Sequence, residues 1–261
     1  MNTIIYLSPT GNAQHLAKKL GSYFEKDAKL LELEFTNVKE LTKTESLVLI
    51  YPIHGFNAAR TAKKFVKELP SGLYEKVHLI AVGCTTNWLN DAVSNDLRRI
   101  LIKKGSKIIV DEIIAMPLTF IMSFPDDISL KLIDDANEKI ESIYNAISKN
   151  IASKRKIKFK SKLMNFIGKA EGFAARLFGI ELHATNKCVS CGICWNNCPS
   201  KNIKRKKNGK PKFGLKCLMC MRCVYNCPEK AITPYVSKFI PIKKGYSLKR
   251  ILDISKKEGK K

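Results

Sequence analysis

Acidic residues are scarce in one half of this chain. Of its 261 residues, 47 are Lys or Arg and 23 are Asp or Glu, a net charge of +24. Residues 1–150 nearly balance, with 19 basic and 18 acidic side chains, whereas residues 151–261 carry 28 basic and 5 acidic. A field of that sign attracts acidic proteins, nucleic acid or anionic lipid, and a solvated Lys-rich face is the plain alternative. No apolar run reaches about 18 residues, so no transmembrane helix is expected. Met1–Leu7 reads as a strand rather than a basic-then-apolar leader, which points to a cytoplasmic location. No second Gly-rich fingerprint for a nicotinamide cofactor is present. Cysteine is confined to Cys84 and to eight positions between Cys188 and Cys227. In a chain expected to have no leader, that clustering points to metal before disulfides.

The length suits about two domains, at roughly 100–200 residues each. The first half alternates strand and helix. Strands are expected at Thr3–Leu7, Leu30–Phe35, Ser46–Tyr51, Val77–Val82 and Lys107–Ile114. Helical spacing runs over His15–Phe24, Ala58–Leu69, Leu89–Ile102 and Ile128–Ile147, with a loop from Pro117 to Pro125. Such alternation predicts a five-stranded parallel α/β sheet, doubly wound by right-handed crossovers. Ligands of such sheets sit outside the C-terminal strand ends.

The expected boundaries are a first domain over 1–150, a basic linker and amphipathic helix over 151–182, a cysteine-rich domain over 183–236 and a basic tail over 237–261. The stripe Leu163, Phe166, Ile167, Ala170, Phe173, Ala174 and Leu177 is expected to pack on its own protein, the usual fate of such a face. A membrane surface is the alternative. The tail's end is expected to fray. Cys84 is expected to be a small buried residue.

Residues 188–233 contain a repeat. Cys188-Val-Ser-Cys191-Gly-Ile-Cys194-Trp-Asn-Asn-Cys198-Pro199 matches Cys217-Leu-Met-Cys220-Met-Arg-Cys223-Val-Tyr-Asn-Cys227-Pro228, each pair of cysteines 29 residues apart. Thiolates are soft ligands that suit iron–sulfur clusters, and three spaced by two residues can wrap one cubane. Two zinc sites of four thiolates each are the alternative, but zinc has no need of this run followed by Cys-Pro, twice. The region resembles bacterial two-cluster ferredoxins over about residues 183–236. That resemblance implies a small α+β domain with two [4Fe–4S] clusters. One would take Cys188, Cys191, Cys194 and Cys227. The other would take Cys217, Cys220, Cys223 and Cys198, because the fourth cysteine of each run serves the other cluster.

Ser8-Pro9-Thr10-Gly11-Asn12-Ala13 follows the first strand and opens the first helix, where amides and helix dipole favour an anion. The hydroxyls of Ser8 and Thr10 can add hydrogen bonds, and Gly11 lets the backbone approach a phosphate. This segment resembles the flavodoxin phosphate loop, although Ala13 stands where that family usually has a hydroxyl. The resemblance covers about residues 1–150. It implies a flavodoxin-like sheet in the order 2-1-3-4-5 and FMN at the switch point. The flavin ring would lie between the turn carrying Tyr51, His54, Phe56 and Asn57 and the turn carrying Thr85, Asn87 and Trp88. Tyr51, Phe56 or Trp88 could stack on it, each against the reading of ordinary packing.

The chain thus resembles a flavodoxin–ferredoxin fusion of the kind found in anaerobes, which implies electron transport. Its expected partner is an acidic redox protein or reductase. Peripheral contact with an anionic membrane is a further expectation, and nucleic acid is the weakest candidate. Other readings are a flavin-dependent reductase of a small molecule, with His54 or Tyr51 as proton donor, and a ferredoxin with a flavin-free docking domain. A binder with structural clusters would use Lys154–Lys160 and Lys204–Lys207.

Overall fold

The computed structural model describes residues 1–258. Its elements run β1 (Asn2–Tyr6), α1 (Asn12–Phe24), β2 (Ala28–Glu32), β3 (Ser46–His54), β4 (Asn57–Ala58), α2 (Arg60–Glu68), β5 (Lys76–Gly83), α3 (Asn95–Lys103), β6 (Lys107–Ala115) and α4 (Asp126–Ser148). There follow β7 (Ser153–Lys154), α5 (Phe159–Glu181), β8 (Leu182–Ala184), α6 (Ile193–Asn196), β9 (Lys204–Arg205), β10 (Pro211–Lys212), α7 (Arg222–Tyr225), β11 (Ile232–Pro234) and α8 (Leu248–Glu258).

The main sheet has the order β2-β1-β3-β5-β6-β7, all parallel, with β4 folded back antiparallel on the end of β3. Without the two-residue β7, five parallel strands stand in the 2-1-3-4-5 order of the flavodoxin-like fold. Alternate residues of β3 divide the core. Leu47, Leu49 and Tyr51 pack with Phe65 and Val66 of α2 and Leu97 of α3. Val48 and Ile50 pack with Leu16 and Leu20 of α1 and Ile133 and Ile140 of α4. Burial on both faces explains why these strands read as continuous apolar runs.

Several boundaries move. The second strand ends at Glu32, and Leu33–Phe35 turns into a 3-10 helix. The helix expected from Leu89 begins only at Asn95, after a 3-10 turn at Trp88–Asn90. The segment expected as a basic linker is structural. β7 extends the sheet beside β6, and Arg155 donates to Asp111 Oδ1 at 3.0 Å and to the Asn90 carbonyl at 3.1 Å. Asp111 has no exposed surface and also meets Arg98 at 3.3 Å and Ser94 Oγ at 2.6 Å. A buried carboxylate needs such partners, so Arg155 is committed to the sheet. The segment expected as a tail carries α8, whose Leu248 and Ile251 are buried with α1 and α4. The expected fraying at residues 259–261 lies outside the described residues.

His78 of β5 is 1 % exposed and its Nδ1 has no hydrogen-bond partner among the described residues. Burial, helped by the Lys76 charge, holds its pKa down to about 4 from the usual 6.5. The unfolded chain therefore binds the proton more readily than the fold does. Stability present above about pH 6.5 should fall as pH drops towards about 4. His78→Phe should flatten that decline by about one proton, measured as the pH slope of urea midpoints. An unchanged slope would show that His78 protonates freely in the fold.

Candidate functional site

The second domain repeats in backbone as it does in sequence. Positive φ recurs at Ser190 and Met219, at Gly192 and Met221, and at Lys201 and Lys230. α6 and α7 each begin one residue before the third cysteine of their run. β8 pairs antiparallel with β11, closing the two ends of the domain together.

Two cavities lie inside it, each walled by four cysteines. One is lined by Cys188, Cys191, Cys194 and Cys227, with Trp195 and Ile232. The other is lined by Cys198, Cys217, Cys220 and Cys223, with Phe178 and Phe213. Each therefore combines three thiols of one repeat with the last thiol of the other. Among the described residues no three or more His, Cys, Asp or Glu converge as a single ion would require. Burial pushes the Cys220 thiol up to about 12 and the Cys194 thiol up to about 11. Thiolates there need a cationic group to hold them. Amides already point at some of the sulfurs. Asn202 N donates to Cys198 Sγ and Ala231 N to Cys227 Sγ, both at 3.3 Å, and these are equivalent positions of the repeat.

A third cavity, of about 260 Å³, opens at the C-terminal ends of β1, β3 and β5. Ser8, Thr10, Asn12, Ala13, His54, Phe56 and Thr85 all line it. The loop before α1 has Gly11 at φ 101, which only glycine adopts without strain. The amides of Gly11, Asn12 and Ala13 have no protein acceptor among the described residues, so they remain available to an anion. Ser8 Oγ accepts from Gln14 N at 2.8 Å, and Asn12 Nδ2 donates to the Pro117 carbonyl at 2.9 Å. These two side chains shape the loop, and Thr10 keeps its hydroxyl for a ligand.

Other expected lining residues lie elsewhere. Tyr51 is fully buried in the sheet core, so it can neither stack on a ligand nor give it a proton. Trp88 is 42 % exposed and outside the cavity. Asn87 is exposed and accepts from Leu89 N, capping the 3-10 turn. Asn57 bonds the Gly55 and Asn165 carbonyls beside a neighbouring cleft, and Gly11 faces the outer side of its loop. Cys84, expected to be buried, is exposed on the cavity wall.

Sequence reasoning missed the rest of the wall. Pro117–Phe120 closes one side, so Phe120 joins Phe56 as an aromatic of the cavity. Glu171 of α5 lines another, its carboxyl pKa raised by burial despite a bond from the Gly55 backbone. Burial and the Arg60 charge lower the His54 pKa to about 4, so the imidazole is neutral at pH 7. The roof is Leu218, Met219 and Cys220, which also line the cavity of Cys198, Cys217, Cys220 and Cys223. A single three-residue stretch thus separates the two chambers.

Several contacts fix that roof. Arg222, from within the second cysteine run, donates Nε to the Pro9 carbonyl at 3.2 Å and Nη2 to the Ser8 carbonyl at 2.7 Å. It donates Nη1 to the Asn197 carbonyl at 3.0 Å and pairs with Glu34. Arg60 bonds the Cys217 carbonyl, and Tyr225 Oη donates to the Thr119 carbonyl at 2.7 Å. α5 packs through Ser161, Asn165, Gly168, Ala175 and Gly179. A side chain on Gly168 would overlap the Gly55 carbonyl, so this crossing needs glycine.

Residues 187–232 match the family described as a 4Fe-4S dicluster domain. A flavodoxin-like fold and an iron–sulfur domain share this chain. Among solved structures, a Fusobacterium nucleatum flavodoxin bound to flavin mononucleotide is similar at 19 % identity and a TM-score of 0.42, over 57 % of this chain and 98 % of that one. A two-electron-reduced Megasphaera elsdenii flavodoxin is similar at 21 % identity and a TM-score of 0.38, over 53 % and 99 %. The Bacillus subtilis Trp repressor binding protein is similar at 18 % and 0.39, over 53 % and 96 %. No curated protein matches the chain.

Proposed function

We propose that this protein passes electrons between FMN, held in the cavity above β1, β3 and β5, and two [4Fe–4S] clusters. The observation that carries this reading is the shared wall of Leu218, Met219 and Cys220 between the two chambers. A flavin exchanges two electrons and a cluster one, so neighbouring sites couple the two kinds of chemistry. The residues present fit both groups. Thr10 and the amides of Asn12 and Ala13 would hold the phosphate. Phe56 and Phe120 offer flat apolar faces to the ring. Cys198, Cys217, Cys220 and Cys223 would hold the nearer cluster, and Cys188, Cys191, Cys194 and Cys227 the farther. Exposed Cys191 and the basic hairpin of β9 and β10 suit an exit towards an acidic redox partner.

A flavin-dependent reductase of a small molecule is the second reading. Glu171 favours it, since its carboxyl lines the cavity where a proton donor would stand, with its pKa raised by burial. Formation of a defined reduced product would select this reading, and turnover with one-electron dyes alone would select the first.

Anaerobically purified protein should contain one FMN and about eight irons and eight sulfides per chain. FMN should also slow alkylation of Cys84, which stands open on the cavity wall. Clusters without flavin after FMN is added back, with Cys84 labelled at an unchanged rate, would leave an iron–sulfur protein whose first domain only docks.

A further inference from the structure

The apolar stripe of α5 does not pack on its own protein. Phe159, Leu163, Phe166, Ile167, Phe173, Leu177 and Ile180 are all exposed, from 47 % at Leu177 to 83 % at Phe159. Ala170 and Ala174 lie exposed among them. At 100° per residue these positions fall within about 140° of the helix circumference. Of the buried residues, Ser161, Asn165, Gly168, Ala175 and Gly179 take the opposite side, and Phe178 lies at the stripe's edge. Gly168 seats the helix against the flavodoxin-like domain, Phe178 and Gly179 seat its end against the cysteine-rich domain, and the remaining large apolar side chains face outward. Monomeric soluble proteins rarely leave so continuous an apolar band uncovered.

We infer that this face of α5 docks on an anionic membrane surface. Charge supplies the argument for lipid over other occupants. Lys162, Lys169 and Arg176 follow one shoulder of the stripe and Lys160 the other, all exposed. The helix has two carboxylates, and neither is free on the stripe. Glu171 is turned towards Gly55, and Glu181 is bonded to Ser237 Oγ at 2.8 Å and to the amides of Ser237 and Val236. Two copies meeting through this face would bring cations together without a compensating carboxylate. Anionic headgroups supply the missing charge while the Phe and Leu side chains enter the acyl boundary. No helix among the described residues is long and apolar enough to cross a membrane. With one side fixed to the protein, α5 would lie in the plane of the interface. This inference stands on the helix surface and does not depend on which cofactors fill the cavities.

The test is co-sedimentation of the cluster-loaded full chain with vesicles. Binding should occur on vesicles containing phosphatidylglycerol, weaken on purely phosphatidylcholine vesicles and weaken again at high salt. Phe166→Ser combined with Phe173→Ser should reduce binding at least roughly tenfold. Cluster absorbance should be unchanged, because both side chains are solvent-facing. Lys162→Gln with Lys169→Gln should reduce binding to the anionic vesicles and flatten the salt dependence. The inference is overturned if the wild-type chain ignores anionic vesicles or if the Phe variants bind as well as it does. It is equally overturned if the wild type is a dimer that these substitutions convert to monomer, since the face would then cover a second copy.

Discussion

Cys198→Ser is expected to leave the chain with about four irons, and adding Cys217→Ser should remove no more. Cys198 belongs by sequence to the first cysteine run, yet its sulfur borders the same cavity as Cys217, Cys220 and Cys223. If those four hold one cluster, losing a second ligand of that cluster costs nothing further. Cys198→Ser with Cys188→Ser should instead strip both clusters, because Cys188 lines the other cavity. Were each run to hold its own cluster, the two double variants would exchange outcomes. The stability consequence is also large. Each cluster would bridge both halves of the repeat, so its loss releases the pairing of β8 with β11 and the burial of Phe178, Leu182 and Ile232. If FMN fills the cavity above β1, β3 and β5, the single Cys198→Ser variant should also lose electron exchange between it and external one-electron acceptors, because the cavity that Cys198 lines is the one behind the shared wall.

The second large effect is expected at Arg222. Its guanidinium binds the carbonyls of Ser8, Pro9 and Asn197 while pairing with Glu34. Both partners are desolvated, with side-chain exposures of 10 % and 6 %. Neither Glu34 oxygen has a hydrogen-bond partner among the described residues, so the guanidinium is the charge that offsets it. Arg222→Ala leaves that carboxylate buried and uncompensated, a loss of about 3–5 kcal/mol. Arg222→Lys should restore little, because one ammonium cannot reproduce a planar fork across several acceptors. Arg222→Met with Glu34→Leu should recover most of the stability, since removing both charges removes the penalty. The double variant would still lack the clamp on the Ser8 and Pro9 carbonyls, so electron passage should stay slow although iron content is normal. A loss below about 1 kcal/mol in Arg222→Ala would mean that the pair is solvated and weak.

Sequence and structure divide along a physical line. Local chemistry with a fixed period was legible in the sequence. The 29-residue repeat of cysteines, the hydroxyl-and-glycine turn after β1, and the apolar runs of the central strands each state their role within a few residues. Buried parallel strands must be apolar on both faces, and a soft-metal site must bring thiols at close spacing. Those features determined the α/β class, the iron–sulfur character and the place of the cavity above β1, β3 and β5. What remained hidden depends on residues far apart in the chain. Tyr51 reads like a ring-stacking aromatic, but the sheet turns it into the core. Phe120 and Glu171 carry no motif and reach the cavity only through tertiary packing. Arg222 sits 214 residues from Ser8, and nothing in a cysteine run marks its guanidinium contacts with another domain. The stripe of α5 shows the limit most clearly. Helical periodicity tells which residues share a face, but which face meets the protein was decided by fit. The flavodoxin-like domain offers the Gly55 carbonyl at close range, and only the Gly168 side of the helix is small enough to approach it. The large apolar side was left outward.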